Sequence, residues 1–126
     1  MILTANQTRQ YLFNAGFRNT ALNYALQICF CESNFETTAH NTSGEDSRGL
    51  MQINVSPNAN PKYLNYNLFN PQINCDVAFE IFVLRGRSFR DWTCAQTLGL
   101  TNPGQKDVFF AFAGIAIMTG IVLYLT

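Results

Sequence analysis

Charge is scarce in this sequence. Asp, Glu, Lys and Arg make up 13% of the 126 residues, about half the usual share for a soluble domain. Eight basic residues balance eight acidic ones, so there is no basic field to draw the chain to nucleic acid. The chain has one histidine, His40, and no C-x-x-C pair. No set of metal ligands follows from that, and no motif calls for a cofactor. The opening MILTANQTRQ lacks the basic start and the continuous apolar stretch of a signal peptide. Internal repeats and low-complexity tracts are absent, and the length suits one compact domain with an appendage. Cysteines are few: Cys29, Cys31, Cys75 and Cys94. Cys29 and Cys31 lie two apart in a helical pattern, so they point to different sides and do not suit a mutual bond. The expectation is four buried or free thiols, with a Cys75–Cys94 bridge left open.

The charge deficit has a local cause. From Val108 to Thr126 the chain reads VFFAFAGIAIMTGIVLYLT, without one charged residue. As a helix this run spans roughly 28 Å, close to the bilayer hydrocarbon thickness of about 30 Å. A buried core helix usually keeps a polar stripe, and this run has none. One C-terminal transmembrane helix over 108–126 is therefore expected, giving a single-pass membrane protein whose partner is the lipid bilayer. Lys106 is the sole basic residue close to the run and does not fix its orientation. Before it, TLGLTNPGQKD is rich in Gly, Pro, Asn and Thr and reads as a linker over 97–107.

Residues 1–96 read as a mixed globular zone. Thr4 caps a first helix that Gly16 ends. Asn19 or Thr20 caps a second, running to about Ser33, with Leu22, Ala25, Ile28, Cys29 and Cys31 mostly at helical spacing. HNTSGEDSRG is turn chemistry. LMQINV then alternates, with Leu50, Gln52 and Asn54 on one side and Met51, Ile53 and Val55 on the other. A long Asn- and Pro-rich loop leads to a third helix that starts at Asn70 to Pro71, with Pro71 in its first turn, and runs to Gly86. A short helix or turn around Trp92 closes the domain. The fold class is α+β, mostly α, with a minimal β element.

Glu32 continues the apolar face of the second helix, three residues after Cys29 and four after Ile28. A carboxyl at the floor of a cleft would have its anion disfavoured by burial and keep a proton near neutral pH. General-acid cleavage of a glycosidic bond needs such a group. Gln52 and Asn54 carry amides that can bond sugar hydroxyls and N-acetyl groups.

Taken in order, ALQICFCESNF, DSRGLMQINV, LFNPQINCDVAFEIF and SFRDWTC resemble the successive motifs of the phage-type lytic transglycosylase, lysozyme-like domain. In that family a helix ends in Glu-Ser, a Gly-Leu-Met/Trp-Gln-Ile-Asn stretch follows, and a Leu-Phe-x-Pro segment opens the next helix. The likeness covers roughly residues 3–96, and LTANQTRQYLFNAGF is similar to the leading helix. The resemblance implies a lysozyme-like domain with Glu32 as catalytic acid/base. Ser33 would orient its carboxyl or the adjacent loop, and Gly49 would let the backbone approach the sugar. Met51, Gln52 and Asn54 would line the cleft, and Asn74 would tie the third helix to the site.

The implied substrate is the peptidoglycan strand, cut between N-acetylmuramic acid and N-acetylglucosamine. Family members often carry a tyrosine in the third helix near the acid, where this chain has Phe79 and Phe82. Glu45 and Asp46 are the candidates for a second carboxylate, and pairing with Arg48 is the alternative use for both. The expected activity is a muralytic transglycosylase in the internal membrane of a phage virion. It would open the wall locally during genome entry, with virion membrane or capsid proteins as further partners. Two alternatives stay open: a lysozyme-type hydrolase, and a degenerate lysozyme-like domain that binds glycan or anchors a membrane.

Overall fold

The computed structural model describes residues 1–104. The expected transmembrane helix over 108–126 lies outside the described residues. Among the described residues no helix is long and apolar enough to cross a membrane.

The first helix, α1 (Ala5–Ala15), begins and ends where local chemistry dictates. The Thr4 hydroxyl accepts from the Gln7 amide at 3.1 Å, and the Gln7 side chain accepts from the Thr4 amide at 2.9 Å. Two otherwise orphaned donors are thus satisfied reciprocally. Gly16 ends the helix at φ 129°, and a Cβ there would stand 2.8 Å from the Phe79 ring. α2 (Asn19–Ser33) departs from expectation at its start. Neither Asn19 nor Thr20 caps it; Arg18 is the cap residue and makes no side-chain cap bond. Its guanidinium instead donates to the carbonyls of Phe13 and Phe17, closing the corner between α1 and α2. Asn34, in the left-handed region, ends α2.

The β element is a three-stranded antiparallel sheet in the order β1 (His40–Asn41), β2 (Ser47–Arg48), β3 (Ile53–Asn54). The LMQINV alternation holds only in its second half. Leu50 and Met51 are both fully buried, and the Gly49–Gln52 segment is a turn with Gln52 at φ 49°. The turn chemistry of residues 40–49 becomes the hairpin joining β1 to β2.

α3 (Pro71–Leu84) starts at the Asn70 cap, whose side chain accepts from the Ile73 amide. It packs against α1 across an aromatic core. Phe17 lies 5.0 Å from Phe79, 5.4 Å from Phe82 and 5.7 Å from Phe89, centroid to centroid. α4 (Thr93–Leu98) closes the domain. In the segment read from composition as a linker over 97–107, residues 97 and 98 belong to α4, Leu100 sits half-buried against the core, and the Phe89 amide donates to the Thr101 carbonyl at 2.7 Å.

The cysteine expectation is corrected. Cys31 and Cys94 form a disulfide, with Cα atoms 6.0 Å apart. Cys29 and Cys75 are free and buried, so a Cys75–Cys94 bridge is excluded. Cys31 points off the apolar face of α2, towards the short helix that comes back over it; only tertiary structure reveals that partner.

Candidate active site

A polar cleft opens between the end of α2, the sheet, and the segment entering α4. Its cavity volume is about 90 Å³, and it is lined by Glu32, Glu45, Ser47, Gln52, Ile53, Asn54, Asn60, Ile81, Asp91, Trp92 and Thr93. Glu32 stands in the last turn of α2, half-buried. Burial raises its carboxyl above the ordinary value of 4.5; the Cys94 amide, donating to Oε2 at 3.3 Å, works against this, and the charge of Glu45 adds to it. The result is a carboxyl that holds its proton beyond the ordinary range while facing polar groups that can engage a sugar.

Of the seven expected site residues, Glu32, Gln52 and Asn54 line the cleft. The side chain of Gln52 is already engaged, with Nε2 donating to the carbonyls of Ala39 and Gly49. Asn54 accepts from the Ser56 amide through Oδ1, which leaves its amide nitrogen as the group with donors to spare.

The other four lie behind the cleft wall. Ser33 is buried and donates to the Cys29 carbonyl at 3.1 Å. Met51 is fully buried; its amide donates to Asn74 Oδ1 and its carbonyl accepts from Trp92 Nε1, both at 2.8 Å. Gly49 is required for a close approach, but to protein rather than to sugar. A Cβ there would lie 2.1 Å from the Leu68 carbonyl and 2.3 Å from Asn74 Nδ2, at a φ of +77°. Asn74 is fully buried and also donates to the carbonyls of Arg48 and Leu68, so it ties α3 to the turn that leads into β3.

The two phenylalanines of α3 do not bear on the acid as expected. Phe79 and Phe82 pack into the aromatic core around Phe17, and the α3 residue that reaches the cleft is Ile81. The two candidate second carboxylates also separate. Asp46 is ion-paired with Arg48 and hydrogen-bonded to His40, both at 2.8 Å, which holds its carboxyl down at about 2. Glu45 lines the cleft and accepts from the Ser47 hydroxyl. Sequence reasoning missed Ser47, Asn60, Asp91 and Thr93. Asp91, ion-paired with Arg85 at 2.8 Å, directly precedes Trp92. That aromatic anchor, bonded to the Met51 carbonyl, was the signal that its neighbours face the site. Among the described residues no group of three or more His, Cys, Asp or Glu could hold a metal ion.

A mostly helical domain with a small sheet, and a half-buried glutamate closing a helix at a polar cleft, define the lysozyme-like class. Residues 9–94 match the family described as Lysozyme like domain, and the chain belongs to that family. No curated protein and no solved structure matches the chain. Membership supports an activity on peptidoglycan of the glycosidase or transglycosylase type.

Proposed function

We propose that this protein is a peptidoglycan lytic transglycosylase with Glu32 as its acid and base. The observation that carries the reading is the Glu32 carboxyl, half-buried at the edge of a polar cleft in a lysozyme-like domain, where burial shifts it towards its protonated form. Glu32 gives its proton to the glycosidic oxygen after N-acetylmuramic acid, and the C1–O bond breaks with oxocarbenium character. The carboxylate then takes the proton of the muramyl O6 hydroxyl as that oxygen bonds to C1. The product is a 1,6-anhydro sugar, and Glu32 is protonated again. This route needs one carboxyl and a nucleophile that the substrate brings with it. Gln52 and Asn54 line the glycan path, while Ser33, Gly49, Met51 and Asn74 support the wall behind it.

A second reading, lysozyme-type hydrolysis, is favoured by one feature. Glu45 shares the cleft with Glu32 and is held by Ser47 rather than left loose in the turn. It could hold a water or meet the cation. The setting proposed is a phage virion, with 108–126 as a single-pass anchor in its internal membrane and the domain opening the wall during genome entry. The phage-type motifs and the uncharged run support it.

Mass analysis of the products from purified peptidoglycan separates the two chemistries. Transglycosylation gives muropeptides lighter by one water than hydrolysis does. Glu32→Gln should lower lysis by about 10²–10⁴-fold, and Asp46→Asn should keep most of it. Full-mass products together with an inactive Glu45→Gln would make the protein a hydrolase. Lysis by Glu32→Gln equal to the parent would remove Glu32 from the chemistry.

A further inference from the structure

The Cys31–Cys94 bridge has a placement that a general staple would not need. Cys31 is the residue before Glu32, and Cys94 is the residue whose amide donates to Glu32 Oε2. The covalent bond and the hydrogen bond therefore close one small ring around the acid. Both ends of that ring are weak without the bond. Glu32 lies in the last turn of α2, where helices fray, and the amide contact is long at 3.3 Å. The segment that carries Cys94 has other anchors. Trp92 is anchored on the Met51 carbonyl, Ala95 is fully buried, and the aromatic core lies elsewhere.

We propose that this disulfide is a redox-dependent positioning clamp for the acid: closed, it holds the Cys94 amide on the Glu32 carboxyl and the site is competent; open, the acid is poorly held and turnover falls. The inference rests on the reading of Glu32 as the acid. Cys31 is exposed, so a small thiol reaches the bond from solvent. A dithiol reductant supplies two electrons and two protons. The S–S bond breaks to two thiols as the reductant closes to its own cyclic disulfide. In a reducing compartment the bridge stays open, and in an oxidising one it closes. The enzyme would thus gain full activity only on the side of the membrane where peptidoglycan lies. The charged groups that face Glu32 across the cleft are Glu45 from the hairpin and Asp91 before α4, the latter paired with Arg85. Neither is bonded to either cysteine.

The test uses the full-length chain, oxidised and then reduced with dithiothreitol. The first readout is independent of activity. In oxidised protein the NMR signal of the Cys94 amide should move as Glu32 titrates, because that amide bonds the carboxylate. In reduced protein the movement should vanish while near-ultraviolet circular dichroism still reports a folded core. The second readout is lysis, which should drop at least ~10-fold on reduction and return on re-oxidation. The double variant Cys31→Ser with Cys94→Ser should match reduced parent and ignore dithiothreitol. A Cys94 amide that still follows Glu32 after reduction, or unchanged lysis, overturns the clamp. So does outright unfolding on reduction, which would make the bridge a staple of the whole domain. If the oxidised parent lyses nothing, the acid assignment fails, and the amide titration still decides whether the clamp exists.

Discussion

Burial favours the protonated form of Glu32 and makes its charged form costly to the fold. Its carboxyl is raised in the folded state, so the folded protein binds that proton more tightly than the unfolded chain does. The contribution of Glu32 to stability is then fully present below the unfolded value of about 4.3 and is lost as pH rises through the higher folded value. Activity that starts from the protonated acid follows the same limb. The lysis rate should hold through mildly acidic buffer and fall above the ordinary carboxylate range. A rate that only climbs between pH 5 and 9 would contradict a protonated starting state. Glu32→Gln removes the charge, its repulsion by Glu45 and its desolvation, while the amide oxygen can still accept from Cys94. At pH 7 the variant should gain up to about 0.5 kcal/mol after solvent screening, ~2–4 °C in Tm for a domain of this size. Calorimetry should find that gain shrinking towards pH 4, and a variant less stable than the parent at pH 7 would contradict it.

Asn74 shows how one helix shapes the cleft at a distance. From α3 it satisfies the Met51 amide and the carbonyls of Arg48 and Leu68. It thereby holds the Gly49–Gln52 turn that delivers Gln52 and Asn54 to the site. Asn74→Ala leaves these groups buried without partners, at a cost of about 3 kcal/mol. Tm should fall by ~12–24 °C, and lysis should weaken even at temperatures where the fold survives. A Tm within a few degrees of the parent would mean that water replaces the amide. The helices themselves were legible in the sequence, because Thr4, Gly16, Asn70 and Pro71 mark helix ends by local chemistry alone. The placement of Glu32 at a cleft was legible through its spacing from Ile28 and Cys29. The Leu50–Asn54 stretch was misread as a continuous strand, because Gln52 adopts a left-handed conformation that alternation cannot signal. Asn60, Asp91 and the Cys31–Cys94 pair were not legible either, since each depends on a loop or short helix returning across the chain.

For the whole molecule, the proposed anchor over 108–126 is tested by partition between water and membrane. A chain ending at Gly104 should stay in the supernatant when vesicles are sedimented, and the full-length chain should pellet with them and need detergent. A full-length chain that stays monomeric in plain buffer would remove the proposed anchor. Cys29 and Cys75 bear on this molecule in a different currency, that of thiol exchange. Both are sealed in the core, with the Cys29 thiol pushed up to about 12 by burial and the Cys75 thiol raised by the same cause. While the domain is folded, neither offers a thiolate to attack the bridge two residues from Cys29. Heat releases both at once, with their ordinary reactivity, next to an intact disulfide. Unfolding in neutral or alkaline buffer therefore invites shuffled pairings and an irreversible loss, whereas unfolding in mild acid leaves the native pairing to direct the return.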